Sequence, residues 1–134
     1  MEKNKTNSKE AKVMGVNVTA SLKHSIAICD FIKGKTIEKA IGELEEVTNM
    51  DRAIPMKGEV AHRKGNMTGG RYPVKVSKIF ITLLKSLRAN ANNQGLDVKN
   101  IKIFAKADKA SRPRKSGKYG GRRFKRVHIL ITAA

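Results

Sequence analysis

Helices in the middle of the chain and strands towards both ends are the pattern this sequence predicts, and three observations carry it. Apolar residues recur at i, i+3 and i+4 through "VKVSKIFITLLKSLRANA", residues 74–91. They alternate instead through "IKIFAKA" (101–107) and "VHILITAA" (127–134). Between those alternating stretches lies "SRPRKSGKYGGRRFKR", with eight cations and no acid in the fifteen positions from 112 to 126. Two strands joined by one basic loop pair most simply as an antiparallel hairpin, here spanning about 101–134.

The elements before the hairpin follow in order. Residues 1–12, "MEKNKTNSKEAK", read as a flexible, solvated tail and lack the apolar middle of a signal peptide. A single domain over 13–134 is expected after it. "VMGVNVTA" (13–20) has the β-branched content of a short strand, and Gly15 within it marks a bulge or a close approach. Ser21 is placed to cap a helix through "LKHSIAICDFIK", which Gly34 stops. Thr36 is placed to cap the next helix, where Ile37, Ala40, Ile41, Leu44 and Val47 share one face. That helix carries Glu38, Glu43, Glu45 and Glu46; with Asp51 they make five of the chain's 11 acids, so this surface is the least suited to phosphate.

Residues 56–73, "MKGEVAHRKGNMTGGRYP", show no period and read as a long, Gly-rich, basic loop. Pro73 suits a helix start, where its missing N–H costs nothing. In the third helix Val76, Ile79, Phe80, Leu83, Leu84, Leu87 and Ala91 form the apolar stripe, opposite Lys75, Lys78, Lys85 and Arg88. Gly95 is its expected stop.

Composition narrows the partners. A net charge of +18, from 29 Lys and Arg against 11 acids, makes a chain of 134 residues repel itself. A polyanion relieves that repulsion, and nucleic acid or an anionic membrane surface can supply one. No stretch approaches the roughly 20 apolar residues of a membrane span, so membrane insertion is not expected. The single cysteine, Cys29, excludes an internal disulfide framework and fits a reducing cytoplasm.

The hairpin run is the first candidate site. Arg112, Arg114, Lys115, Lys118, Arg122, Arg123, Lys125 and Arg126 can neutralise phosphates, and Tyr119 and Phe124 among them can stack on unpaired bases. Strands on both sides should present these charges on a rigid stem that projects from the core. A disordered tail of equal charge would instead lose ordering entropy on binding. The central loop is the second candidate. Arg63, Lys64 and Arg71 can reach phosphate, and the Gly69 and Gly70 amides can form an anion-binding concavity. Tyr72 can stack on a base or sit half-packed at the helix start. The GK[ST] ending of a Walker loop is absent.

His62 lies in this basic loop and can contact phosphate. His24 and His128 read as packed or capping residues, and Cys29 as a small core residue. No catalytic constellation and no metal-ligand spacing is present, so neither enzyme activity nor a cofactor is expected. From the residues alone, an architectural RNA-binding protein and a free DNA-compacting or regulatory protein with a basic β-ribbon both remain open.

Several longer stretches narrow that choice. "SLKHSIAICDFIKGKTIEKAIGELEEV", "AHRKGNMTGGRYPVKVSKIFITLLKSLRANANNQGLDV", and "RPRKSG" with "HI" further on occur in one order. In this arrangement the chain resembles the universal large-subunit ribosomal protein family called L-twenty-two in bacteria and L-seventeen in eukaryotes, in its archaeal form. The resemblance implies an α+β fold, with a three-stranded antiparallel sheet packed with three helices and an extended basic β-hairpin. It also implies a cytoplasmic, non-catalytic constituent of the large subunit that binds large-subunit rRNA, supports assembly and meets neighbouring ribosomal proteins.

By the same resemblance, the hairpin helps line the nascent-peptide exit tunnel and its tip lies near the nascent polypeptide. By matching position the tip role falls on Arg112, Pro113, Arg114, Lys115 and Gly117, and RNA contact on Lys118, Arg122, Arg123, Lys125 and Arg126. Central-loop contact falls on His62, Arg63, Lys64, Gly70, Arg71 and Tyr72. Lys75 and Lys78 on the third helix and Tyr119 in the hairpin complete the expected RNA-binding set. Only seven residues separate "IKIF" from "RPR", an ascending arm shorter than the family pattern.

Overall fold

The computed structural model describes residues 9–58, 60–63 and 69–134. Its strands are β1 (Ala11–Val18), β2 (Ile54–Pro55), β3 (Gly70–Arg71), β4 (Ile103–Lys109) and β5 (Val127–Ala133). Its α-helices are α1 (Leu22–Ile32), α2 (Ile37–Thr48) and α3 (Val74–Asn93), with one short 3-10 turn at Gly117–Tyr119. Three strands form an antiparallel sheet in the order β1-β5-β4, and α1 packs on β4 while α3 packs on α2 and β1. This is the expected α+β architecture.

The core follows the patterns in the sequence. Val127, Ile129, Ile131 and Ala133 of the central strand β5 point inward and are buried, while the residues between them stay half-exposed. Phe80, Leu84 and Leu87 of α3 are fully buried, each burial stabilising the fold by about 1.5–3 kcal/mol. The five apolar residues expected on one face of α2 are all buried. α3 ends as Gly95 predicts: its φ is +72°, and the N–H groups of Gly95 and Leu96 donate to Asn92 O and Ala91 O, closing a Schellman turn.

β1 begins at Ala11, inside the stretch expected as tail, and its register against β5 shifts between Gly15 and Val18. Gly15 explains why no larger residue stands there. A Cβ would lie 2.9 Å from Val18 Cγ2 and 3.3 Å from a Leu83 methyl. Asn17 in the bulge has φ +53°, and its N–H donates to His128 Nδ1 at 3.2 Å. His128 thus holds the bulge in place.

Two local expectations are corrected. Ser21 and Thr36 occupy the N-cap positions, but neither hydroxyl caps its helix; the Ser21 carbonyl instead accepts from both Ser25 N–H and Ser25 Oγ–H. Pro73 does stand at the helix start as expected, in the N-cap position. The stretch 56–73 is not loop throughout, because Gly70 and Arg71 pair back on Pro55 and Ile54 and close its base. Gly69 lies so near the returning chain that a Cβ would meet Val60 Cγ2 at 2.5 Å.

Candidate nucleic-acid interface

β4 and β5 pair in unbroken register from Ile103↔Ala133 to Lys109↔Val127. Beyond Lys109 the pairing continues as single hydrogen bonds: Ala110 N–H donates to Arg126 O, Phe124 N–H to Pro113 O and Lys115 N–H to Arg122 O. An isolated bridge joins Arg114 to Arg123. From the pair Lys109↔Val127 to this bridge the first arm advances five residues and the second retreats four, so one extra residue bulges from the first arm. Pro113, with no N–H to give, lies in that interval. The chain reverses at Gly117–Gly121, where Gly117 has φ +64° and Gly120 N–H donates to Gly117 O.

The expected site residues fall into three groups. Gly117, Lys118 and Tyr119 stand at the exposed turn. Arg112, Pro113, Arg114 and Lys115, expected at the tip with Gly117, lie instead on the paired arm leading to the turn, and Arg122, Arg123, Lys125 and Arg126 on the arm returning from it. Aromatic rings hold several cations in place: Lys115 Nζ lies 5.3 Å and Arg126 5.1 Å from the centre of the Phe124 ring. Arg112 Nε donates to Phe124 O at 3.1 Å.

In the central loop, Arg63 lies 5.1 Å over the Tyr72 ring and its Nε donates to Gly70 O at 3.4 Å. The Gly70 N–H donates to Ala61 O, so it is not free to take an anion in the concavity expected from the sequence. His62 and Arg71 are exposed, and Lys64 lies outside the described residues. Lys75 and Lys78 are exposed on the first turns of α3.

The hairpin does not simply project from the body, as the sequence suggested. Its arms face the starts of α1 and α3 across a cleft of about 840 Å³. Arg112, Lys115, Arg122, Arg123 and Lys125 line one side, and Tyr72 and Lys75 stand opposite. The cleft also takes in Phe124, expected from the sequence as a base-stacking residue, and His24, which sequence reasoning read only as packed or capping. His24 is half-buried, and its imidazole is held below its ordinary value of 6.5 by burial first, then by Arg71, Lys125 and Lys23. No local pattern joins His24 to Lys125, so only the fold could reveal this approach.

The remaining titratable candidate is inert. Cys29 is buried in the core, and burial, reinforced by Asp30 and Asp108, pushes its thiol up to about 12. Among the described residues no group of three or more His, Cys, Asp and Glu side chains could hold a metal ion. Among them, too, no helix is long and apolar enough to cross a membrane.

A small α+β body with cations gathered on one hairpin and around one cleft has the layout of a polyanion-binding protein. The chain belongs to the family described as ribosomal protein L22p/L17e, whose pattern matches residues 13–134. It is 46% identical over 101 residues to the large ribosomal subunit protein uL22 of Archaeoglobus fulgidus, covering 72% of this chain and 65% of that protein. It is 37% identical over 126 residues to the protein of the same name from Methanoregula boonei, covering 85% of this chain and 82% of that one. The Methanoculleus marisnigri protein of that name is 37% identical over 132 residues, covering 90% and 86%. The family and these archaeal relatives agree with the resemblance read from the sequence.

Proposed function

We propose that this chain is a structural constituent of the large ribosomal subunit, acting in the cytoplasm by binding large-subunit rRNA through its hairpin and central loop. Its action is architectural: phosphate contacts fix position, and a few aromatic and Arg stacks select unpaired bases. The observation that carries this reading is the set of hairpin cations without carboxylate partners among the described residues, in a chain whose archaeal relatives are named large-subunit proteins. Neighbouring ribosomal proteins are the natural partners of the remaining surface. The exposed turn at Gly117–Gly121 is the part best placed to meet the nascent polypeptide in the exit tunnel.

Sedimentation of a tagged chain from cell extract tests the reading. The chain should travel with the large subunit, and RNase should release it while DNase leaves it in place. Migration with DNA that survives RNase would assign it to a DNA-compacting role instead.

A further inference from the structure

The two walls of the cleft differ in chemistry. The hairpin wall presents Arg112, Lys115, Arg122, Arg123 and Lys125, none within ion-pair distance of a carboxylate among the described residues. The body wall is mainly apolar, with Ala20, Pro73, Val74, Val76 and the Tyr72 ring, and it also carries Lys75 and His24. A small inorganic anion would use the cations and leave the apolar part of the second wall unused. An apolar, aromatic wall facing a cationic one suits a ligand with a flat apolar face and a negative charge beside it, which describes a nucleotide.

Duplex RNA keeps its bases stacked, so base and phosphate cannot enter such a hollow together unless the nucleotide leaves the stack. A second hollow of about 200 Å³ shares Ala20, Ser21, Arg112 and Lys125 with the first and continues to Lys23, Lys109 and Arg126. That continuing cationic path has a use only for a ligand whose phosphate chain runs on past the bound unit.

We propose that the cleft receives one unstacked nucleotide of a single-stranded RNA segment, its base on the Tyr72–Val74 wall and its flanking phosphates on the hairpin cations. The assignment rests on the RNA-binding reading above and narrows it to one site. His24, half-buried in the same hollow, faces Arg71, Lys125 and Lys23, whose charges an incoming phosphate offsets.

Two variants of the full chain separate this assignment from RNA binding at large. Val74→Trp fills the hollow and removes no charge, whereas Arg114→Ala with Lys118→Ala removes charge outside it. Each is titrated with a short single-stranded RNA carrying a central 2-aminopurine and with the same RNA in a duplex, after a thermal melt confirms folding. Val74→Trp should lower the ratio of single-strand to duplex affinity about tenfold, the scale of one base stack. The charge variant should weaken both RNAs. If the ratio is unchanged while the charge variant weakens both, the cleft assignment is overturned and RNA binding stands. If neither variant weakens binding to any RNA, the RNA reading itself falls.

A measurement on the unaltered chain stands apart from any folding defect. The same single strand, carrying one 4-thiouridine, should on irradiation crosslink within residues 20–24 or 72–76. Crosslinks confined to the turn at 117–121, or displacement by a free mononucleotide at equal concentration, would overturn the assignment.

Discussion

Lys35 and Arg52 both reach Glu43, and Arg52 Nε also lies 2.8 Å from Glu46, so these two cations beside α2 are paired within the protein. Arg112, Arg122, Arg123 and Lys125 face the cleft with no carboxylate in reach among the described residues. The same residue types therefore serve two purposes. Paired cations belong to the folding energetics of the body. Unpaired ones repel each other in the free chain, and a polyanion removes that repulsion on binding. The difference separates variants that change stability from variants that change binding.

The largest effect is expected where charge plays no part. Phe80→Ala empties a fully buried site between the helices and the sheet and should cost about 3–5 kcal/mol in urea unfolding. A change near zero would mean that α3 does not anchor the core. Next comes Glu43→Gln, which leaves Lys35 and Arg52 with a weaker partner in a partly buried setting. A destabilisation of about 1–2 kcal/mol is expected, with RNA affinity unchanged. An unchanged unfolding midpoint would erase the contrast between the two regions.

The hairpin counterpart is Arg112→Ala with Arg114→Ala. Its stability should move by no more than about 0.5 kcal/mol. Its plot of log affinity against log salt should become shallower by about 0.7–0.9 for each phosphate that is no longer neutralised. An unaltered slope would show that these two cations do not meet RNA.

The smallest effect concerns His24. Its value lies below 6.5 in the folded chain and at about 6.5 when unfolded, so below that pH the unfolded state binds more protons. Its contribution to stability is therefore complete above pH about 6.5 and declines as the pH falls through that value. His24→Gln should flatten this decline in thermal melts between pH of about 7.5 and 5.5. Bound phosphate beside His24 should raise its proton affinity, so binding should tighten as the pH falls in the wild type and less so in the variant. An identical pH profile for both would remove His24 from the cleft's electrostatics.

What was legible in the sequence was local. The period of α3, the alternation of β4 and β5 and the stop at Gly95 each depend on neighbours a few residues away, and each appears as expected. The positions of the caps were legible at Ser21 and Thr36, but the cap bonds were not, because they depend on a rotamer that tertiary packing decides. The Ile54–Arg71 pairing and the His24–Lys125 approach join residues far apart in the chain, and no short pattern announces them. The hairpin's charge could be counted from the sequence. That its arms lean towards α1 and α3 and enclose a cleft could not, because Tyr72, His24 and Phe124 meet only in the fold. The sheet was anticipated through the family resemblance, since a lone strand at residue 13 says nothing of its partner.

Crosslinking in living cells, followed by identification of the nucleic acid attached to each peptide, tests most directly whether the unpaired cations are reserved for RNA. The expected result is that peptides covering 112–126 and 69–75 carry a few fixed positions of large-subunit RNA, while peptides of α2 carry none. Dispersed DNA or many unrelated RNAs on those peptides, or equal labelling of α2, would contradict it.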